Sequence, residues 1–270
     1  MSDRAGIEDC CQVFAESFET SNLPAMLAVE RTVLGCDYGG TSWTTRRQAE
    51  QITDSLELGP GTRLLDIGAG SGWPGLWLAD NGDCHVTLVD LPVNALVKAR
   101  RRACRDGIGS SVDTVAGSGA TLPFRDCSFG AINHSDVLCC LPEKRQMLRE
   151  CRRVASDGAS MLFSVIAISP RLLYADQRRA VETGPPFVEA PGDYADLLSE
   201  AGWRLVERKD VTAEYRKCLR VLVDALDGNI ELCDALGPDV VSETRRHRLE
   251  QIAAVDAGLL CREIFVAAAG

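Results

Sequence analysis

Hydrophobic positions between residues 62 and 168 fall into short apolar or β-branched runs separated by helical stretches. The strands predicted from these runs are 63–67, 85–89, 112–115, 131–133 and 161–168. The helices predicted between them are 74–80, 93–105 and 143–154, the last stopped by Ser156-Asp157-Gly158. Alternating strands and helices are typical of βαβ units, which build a parallel sheet covered by helices on both faces.

The flanking segments follow a different pattern. Residues 1–60 are predicted to be helical with an interruption at 35–42, and the proline-rich segment 169–192 to be a partly helical lid. The elements predicted after it are a helix at 194–201, a strand at 204–210, a mostly helical stretch at 214–254 and a strand at 264–268. Two late strands separated by such a long helical insertion predict an antiparallel pair at the end of the sheet. We therefore expect a single domain, residues 1–270, whose parts are a cap (1–60), a core (61–168), a lid (169–192) and C-terminal strands with the helical insertion (193–270).

The most informative motif is LLDIGAGSGWPG at residues 64–75. A strand ending in Asp66 leads directly into closely spaced glycines, which let a backbone turn tightly and approach a ligand without a Cβ. Asp90 ends the next predicted strand, where it can accept both hydroxyls of a ribose. Residues 70–75 also fit the G-x-G-x-x-G pattern of nicotinamide dinucleotide folds. Those folds explain neither the late antiparallel pair nor the acid two residues before the first glycine, which could hold a cationic amino group.

The composition is that of a folded globular protein, with 270 residues, 46% of them hydrophobic and 25% charged. The longest uncharged runs, 67–79 and 158–170, are shorter than the ~20 residues that span a bilayer. The N-terminus carries acids where a signal peptide carries a basic start. We therefore expect a cytoplasmic protein with no membrane partner.

Net charge and cysteine spacing exclude further classes of protein. The 39 acidic and 29 basic residues give a formal net charge of −10, which opposes binding to nucleic-acid phosphates. The basic run 98–105 is expected to be a solvated outer helix face. The 12 cysteines include no C-x-x-C pair and there are only three histidines, so no metal site is predicted. Most cysteines are expected to be small buried residues.

Four segments together resemble the class I S-adenosylmethionine-dependent methyltransferases that act on small molecules. The glycine motif resembles the family's first motif, and VTLVD at 86–90 resembles its ribose-binding strand end. The run LPF at 122–124, followed by Ser128-Phe129, resembles the approach to the fourth strand, and residues 189–212 resemble the sixth-strand region. Within the family, NHSDVLCCLP (133–142) and KDVTAEY (209–215) look most like the phosphoethanolamine and glycine/sarcosine N-methyltransferases. The resemblance implies an α/β fold with a Rossmann-like, mostly parallel sheet of seven strands, one antiparallel C-terminal strand and a helical cap.

The resemblance also implies S-adenosyl-L-methionine as methyl donor and S-adenosyl-L-homocysteine as product, bound by the 61–168 core. The residues implied to contact them are Asp66, Gly68, Ala69, Gly70, Asp90, Leu91, Ser118, Gly119, Thr41 and Ser42. The glycine loop and Asp66 would line the methionine part, and Asp90 would hold the ribose with Leu91 beside the adenine. Ser118 stands where relatives commonly have an acid that binds the adenine amino group, so that contact is expected to be weak or missing.

Candidate catalytic residues follow from the fourth strand, whose end faces the reacting methyl group in this family. His134 is either a general base or a hydrogen-bonded wall residue, and Asp136 either contacts the acceptor or caps the following helix. Further candidate acceptor contacts are Tyr38, Tyr174, Tyr215 and Cys140. Cys140 occupies the position of a catalytic histidine in the phosphoethanolamine-type relatives and is expected to be a core thiol here. The three tyrosines could close over an acceptor, although aromatic residues in helices more often belong to the core.

We therefore expect an enzyme that transfers a methyl group from S-adenosylmethionine to a nitrogen, oxygen or carbon atom of a small molecule. Two alternatives stay open from the sequence. One is a methyltransferase acting on RNA or protein, which the acidic balance disfavours. The other is a cofactor-binding regulator without catalysis, which the unusual residues Ser118, Cys139 and Cys140 keep open.

Overall fold

A computed structural model describes residues 2–270, with side chains described from residue 11 onward. The strands are β1 (Arg63–Ile67), β2 (His85–Asp90), β3 (Val112–Ala116), β4 (Phe129–Ser135), β5 (Ala155–Ile168), β6 (Trp203–Asp210) and β7 (Leu260–Ala269). The helices are α1 (Ser2–Thr20), α2 (Pro24–Leu34), α3 (Arg46–Ser55), α4 (Gly75–Asn81), α5 (Val93–Arg105), α6 (Lys144–Val154), α7 (Tyr174–Thr183), α8 (Tyr194–Glu200), α9 (Thr212–Leu226), α10 (Ile230–Leu236) and α11 (Pro238–Asp256). None of the helices within residues 2–270 combines the length and the apolar character needed to cross a bilayer.

The seven strands form one sheet in the order β3-β2-β1-β4-β5-β7-β6. Strands β1 to β5 are parallel to one another, and β7 runs antiparallel between β5 and β6. The predicted Rossmann-like sheet with an antiparallel C-terminal strand is therefore confirmed. Because β1 and β4 are adjacent and parallel, their carboxyl ends meet at one edge, where ligands bind in open α/β sheets.

Three strands are longer than predicted by several residues. β4 spans Phe129–Ser135, β5 begins at Ala155, and β7 begins at Leu260. The turn predicted at Ser156-Asp157-Gly158 lies inside β5 and appears there as an irregularity, since Gly158 has φ 74° and the β4–β5 register shifts nearby. The strand pairs on either side of these polar residues, Phe129 with Ala155 and Ala131 with Ser160, keep the segment within β5, so tertiary pairing overrides its turn preference.

Helices from the two ends of the chain form one layer. The breaks predicted at Gly228 and Gly237-Pro238 separate α9, α10 and α11. Apolar side chains of α2 pack against these helices in a small cluster made of Ala25, Val29, Leu226, Leu232 and Val241. This packing places the N-terminal helices and the insertion between β6 and β7 together. The boundaries of the cap and of the lid at 169–192 stay predictions.

Candidate active site

The loop after β1 is shaped by glycines in left-handed backbone conformations. Gly68 and Gly70 have φ values of 68° and 52°, which side chains with a Cβ rarely adopt. The backbone N–H groups of Gly68 and Ala69 donate to the carbonyl of Val89 at 2.8 and 3.1 Å, which ties the loop to β2. A Cβ built on Gly68 would lie 2.3 Å from Cγ2 of Val137. The glycines are therefore required both by backbone angle and by the close approach of the chain after β4.

Asp90 is fixed at the end of β2 by the same loop. Its Oδ2 atom accepts a hydrogen bond from the N–H of Gly70 at 2.6 Å, and its Oδ1 atom accepts one from the N–H of Leu91 at 2.7 Å. Burial raises the pKa of Asp90, and the two N–H donors oppose that rise. The carboxylate is therefore held in one orientation at the carboxyl edge of the sheet, beside the partly exposed Leu91.

Asp66 lies beneath the glycine loop. Its Oδ1 atom accepts a hydrogen bond from Nδ2 of Asn133 at 2.7 Å. A Cβ built on Gly75 would lie 2.4 Å from the Oδ2 atom, so the glycine lets α4 begin directly against this carboxyl. Burial raises the pKa of Asp66 to about 7, with the Asn133 hydrogen bond opposing the rise. Asp66 thus supports the loop from below, and its contact with a cofactor amino group stays a prediction.

The segment with Thr41 and Ser42 lies next to the glycine loop. The hydroxyl of Ser71 donates to the carbonyl of Gly39 at 2.6 Å. The buried carboxylate of Glu30 accepts hydrogen bonds from the N–H groups of Gly39 and Gly40 at 2.6 and 3.1 Å. Thr41 is exposed, and the hydroxyl of the half-buried Ser42 donates to that of Thr44 at 3.0 Å, so contact of either residue with the cofactor stays a prediction.

Helix α1 covers the loop, which the sequence did not predict. A Cβ built on Gly70 would lie 2.8 Å from Cζ of Phe18. The helix is held there by α5, since Asn94 donates to the carbonyl of Ala15 at 2.8 Å and Lys98 donates to the carbonyl of Phe18. Lys98 belongs to the basic run expected to be a solvated face, and that expectation is wrong for this residue because its ammonium satisfies the C-terminal carbonyls of α1.

Four further residues predicted for the site lie at separate places around the edge of the sheet: Tyr38, Tyr174, Ser118 and Gly119. The Tyr38 ring lies 5.1 Å from Trp73 and 3.9 Å from the guanidinium carbon of Arg102. Tyr174 begins α7 and is 77% exposed. Ser118 and Gly119 follow β3, where the Ser118 hydroxyl accepts from the N–H of Ala120 at 3.2 Å. The structure therefore does not bring Tyr38 and Tyr174 together with the end of β4.

His134 is fully buried in β4 and stacks on Phe163, with ring centroids 4.7 Å apart and an interplanar angle of 13°. Phe163 in turn stacks on Phe265 at 4.9 Å. Neither ring nitrogen of His134 has a hydrogen-bond partner, and burial lowers its pKa to about 3. The imidazole is therefore neutral and forms part of an aromatic stack. The sequence suggested either a general base or a hydrogen-bonded wall residue, and the observed environment matches neither. Its catalytic role stays a prediction.

Asp136 follows β4 and is engaged by four protein donors. Oδ1 accepts from Nε of Arg262 at 2.9 Å and from the hydroxyl of Ser164 at 3.0 Å. Oδ2 accepts from Nη2 of Arg262 at 2.9 Å and from the N–H of Trp43 at 3.2 Å. Its backbone has φ 58°, a left-handed conformation that Asp tolerates better than most residues. The carboxylate therefore joins β4, β5, β7 and the segment before α3, and its catalytic role stays a prediction.

Tyr215 and Cys140 lie near this carboxylate at the carboxyl end of β4. Tyr215 is 1% exposed and contacts Trp43 edge-on, with ring centroids 5.1 Å apart. Cys140 is partly buried against the main core cluster.

Sequence reasoning named both residues but missed Arg262, Arg248, Phe18 and Glu30. The signal for Arg262 was its position, with Glu263, directly before the apolar run 264–268 that was predicted as the terminal strand. Within the described residues, no three His, Cys, Asp or Glu side chains are arranged to hold a metal ion.

Comparison with known proteins shows that the chain is similar to methyltransferases. Residues 65–163 match the model of a family described as a methyltransferase domain. The methyltransferase GfsG of Streptomyces halstedii is 28% identical over 206 residues, which cover 74% of this chain and 72% of that protein. The 27-O-demethylrifamycin SV methyltransferase of Amycolatopsis mediterranei is 27% identical over 188 residues, or 68% of this chain and 69% of that protein.

A solved structure shares the fold at lower sequence identity. It is phosphoethanolamine N-methyltransferase 2 of Haemonchus contortus, in complex with phosphomonomethylethanolamine and S-adenosylhomocysteine. The TM-score is 0.78 with 15% sequence identity, and the match covers 95% of this chain and 60% of that chain. The match of residues 65–163 to the methyltransferase-domain model, together with the relatives named as methyltransferases, supports a class I S-adenosylmethionine-dependent methyltransferase, as the resemblance implied.

The residues at the sheet edge fit this cofactor. The loop carries glycines at the positions of closest approach, and Asp90 is oriented beside it by two N–H groups. Asp66 and Asn133 bond to each other at the ends of β1 and β4, and one oxygen of each, Oδ2 and Oδ1, has no hydrogen-bond partner among the described residues. The cofactor supplies an electrophilic methyl group, and the chain supplies the surface that orients it.

Proposed function

We propose that this enzyme methylates a small-molecule acceptor held between the carboxyl ends of β4 and β5 and the helical layer above them. The observation that carries the proposal is the position of Val137, whose side chain contacts Gly68 of the glycine loop while its neighbour Asp136 binds Trp43. One short segment therefore borders both the cofactor loop and the segment that precedes α3. The relatives GfsG and the 27-O-demethylrifamycin SV enzyme are named as methyltransferases, and the latter name specifies a small molecule.

Positioning is the chemistry that the residues near β4 support best. Methyl transfer to a nucleophile is an in-line displacement, so alignment of the acceptor with the methyl group supplies much of the rate. His134 is neutral and shielded, and all four hydrogen bonds of Asp136 go to protein donors. We propose that Asp136 orients the wall of the acceptor site and that neither residue removes a proton.

The charge distribution favours a small molecule over RNA. The formal net charge is −10, and the basic run on α5 is partly used inside the protein. Arg102 pairs with Asp37 at 3.0 Å, and Lys98 binds the end of α1. A nucleic acid would need unoccupied cations along its phosphates.

The test combines cofactor binding with a search for acceptors. Titration calorimetry should detect S-adenosylhomocysteine binding to the purified protein. Transfer of a labelled methyl group from S-adenosylmethionine should then occur to a member of a metabolite panel and not to bulk RNA or to unfolded protein. Binding without transfer to any class would favour the regulator, and transfer to RNA would overturn the proposed acceptor class.

A further inference from the structure

Arg248 on α11 differs from the arginines around it in having no acidic partner among the described residues. On the same helix, Arg245 pairs with Asp227 and Arg246 pairs with Glu243 and Glu250. The Arg248 guanidinium instead donates through Nη1 to Oε1 of Gln251 at 2.7 Å. Its Nε atom is buried and has no hydrogen-bond partner among the residues that the structure describes. A partly buried cation without a counter-ion is costly to the free protein.

A second unused donor lies close to this cation. The hydroxyl of Tyr215 is buried and has no hydrogen-bond partner within the side chains described from residue 11 onward. Burial raises the pKa of Tyr215 and the nearby Arg248 charge opposes that rise, so the phenol remains protonated and able to donate. The Trp43 ring contacts both residues, with its centroid 5.1 Å from the Tyr215 ring and 5.4 Å from the guanidinium carbon of Arg248. The side chains that carry these two donors therefore both lie against the Trp43 ring.

This cluster borders the end of β4. The N–H of Trp43 donates to Asp136, and the next residue, Val137, contacts the glycine loop at Gly68. The groups around the cluster do not neutralise it. The carboxylate of Asp136 is paired with Arg262, and Gln251 is uncharged. The cluster is therefore a cationic, donor-rich wall at the edge where the methyl group is presented.

We propose that Arg248 and Tyr215 bind an oxyanion group of the acceptor, a carboxylate or a phosphate, while Trp43 packs against its apolar part. An oxyanion can accept hydrogen bonds from both donors and neutralise the charge of the guanidinium. Hydrogen bonds between charged groups are stronger than those between neutral groups. The net charge of −10 repels anions at long range, so recognition of an acidic acceptor needs such a local cation. This inference rests on the proposed function, because it names the acceptor class of that site.

The experiment measures binding of simple probes to the protein loaded with S-adenosylhomocysteine. The probes are benzoate, phenyl phosphate and neutral benzyl alcohol, followed by ligand-observed NMR titration. We expect at least one oxyanion probe to bind about tenfold more tightly than benzyl alcohol, because only the oxyanions engage the charged donor. Preference for benzoate identifies a carboxylic acid as the acceptor class, and preference for phenyl phosphate identifies a phosphate ester.

Four variants assign the effect to the cluster. Arg248→Met should weaken oxyanion binding about tenfold, and Tyr215→Phe about threefold, with benzyl alcohol unchanged. Arg248→Lys keeps the charge but loses the planar fork, so it should fall between wild type and Arg248→Met. Arg246→Met, on the exposed face of the same helix, is the matched control and should bind all probes as wild type does.

Two results would overturn the inference. One is the same weak binding for all three probes in the wild type. The other is unchanged oxyanion affinity in Arg248→Met or, if that variant does not fold, in both Tyr215→Phe and Arg248→Lys. A loss of stability with unchanged affinity would assign Arg248 to cation–π packing on Trp43 alone. Failure of the wild type to bind S-adenosylhomocysteine would instead count against the proposed function, and calorimetry on every variant keeps the two cases apart.

Discussion

Asp136 and Arg262 form a two-point ion pair inside the protein, with Nε–Oδ1 and Nη2–Oδ2 distances of 2.9 Å. The remaining contacts of the guanidinium go to Gln48, Thr44 and Ser164. The pair therefore connects the terminal strand β7 to the segment that precedes α3 and to the end of β4. Because Gln48 also donates to Glu214 on α9 at 2.8 Å, the polar network continues into the helical layer.

The first prediction concerns the stability of this pair. Arg262→Met should lower the free energy of unfolding by about 3–5 kcal/mol, because it leaves the Asp136 carboxylate buried without its counter-charge. Asp136→Asn should cost a similar amount, while the double variant should recover part of the loss. Urea unfolding of the four proteins measures the coupling. Ser164→Ala, which removes one donor, is the milder control, and strictly additive losses would show that the pair does not act as a unit.

The second prediction concerns the ribose contact. Asp90→Ala should weaken S-adenosylhomocysteine binding by about 1–3 kcal/mol, the range for hydrogen bonds to a charged group. Asp113→Ala is the matched control, since Asp113 lies on the neighbouring strand β3 and pairs with His85 on the surface. Calorimetry gives both affinities. Equal affinity in Asp90→Ala and wild type would remove the ribose assignment.

The third prediction concerns access to the cofactor site. Phe18 packs directly against Gly70, so α1 must shift for a ligand to reach the loop. Phe18→Ala should therefore speed the association of S-adenosylhomocysteine, measured by stopped flow, and Val13→Ala on the exposed face of α1 should not. Hydrogen exchange in residues 2–42 and 169–192 should slow when cofactor and acceptor bind. Identical association rates and identical protection would exclude gating by these segments.

The fourth prediction uses two buried groups whose pKa values move in opposite directions. Burial lowers the pKa of His134 to about 3, so its contribution to stability is complete above its ordinary pKa and is lost as pH falls. At pH ~5 the loss is about 2 kcal/mol. Burial raises the pKa of Asp66 from 3.8 to about 7, so its contribution is complete at low pH and is lost as pH rises to about 7, by ~4 kcal/mol in total.

Variants separate the two effects. His134→Phe keeps the stack on Phe163 and should be less acid-sensitive than the wild type. Asp66→Asn keeps a hydrogen-bond acceptor for Asn133, and its gain in stability over the wild type should be largest at pH ~8. Urea unfolding at several pH values provides the comparison. If both variants follow the wild-type pH profile, these groups do not titrate as their burial requires.

The strand pattern and the glycine motif made the sheet predictable, because the spacing of hydrophobic residues and the residue types that form turns are local properties of the sequence. Asp90 could be placed for the same reason, since parallel strands end at one edge. The partners of Asp136 could not be predicted, because Arg262, Ser164 and Trp43 come from distant parts of the chain. The aromatic stack on His134 depends on the β4–β5–β7 register, which aligns His134 with Phe163 and Phe163 with Phe265. Local patterns contain no information on such register.

The last prediction concerns the roles of Asp136 and His134 in methyl transfer. If Asp136 positions the acceptor wall, Asp136→Asn should lower kcat/KM at least about tenfold while S-adenosylhomocysteine affinity stays unchanged. Asn also tolerates the left-handed backbone at this position, and assays are made where the variant is folded. A base at His134 would give a pH–rate inflection that disappears in His134→Asn. We expect no such inflection, because the ring is neutral, fully buried and without a hydrogen-bond partner. An inflection that is lost with the imidazole would assign the base to His134 and would require the stack on Phe163 to open during turnover.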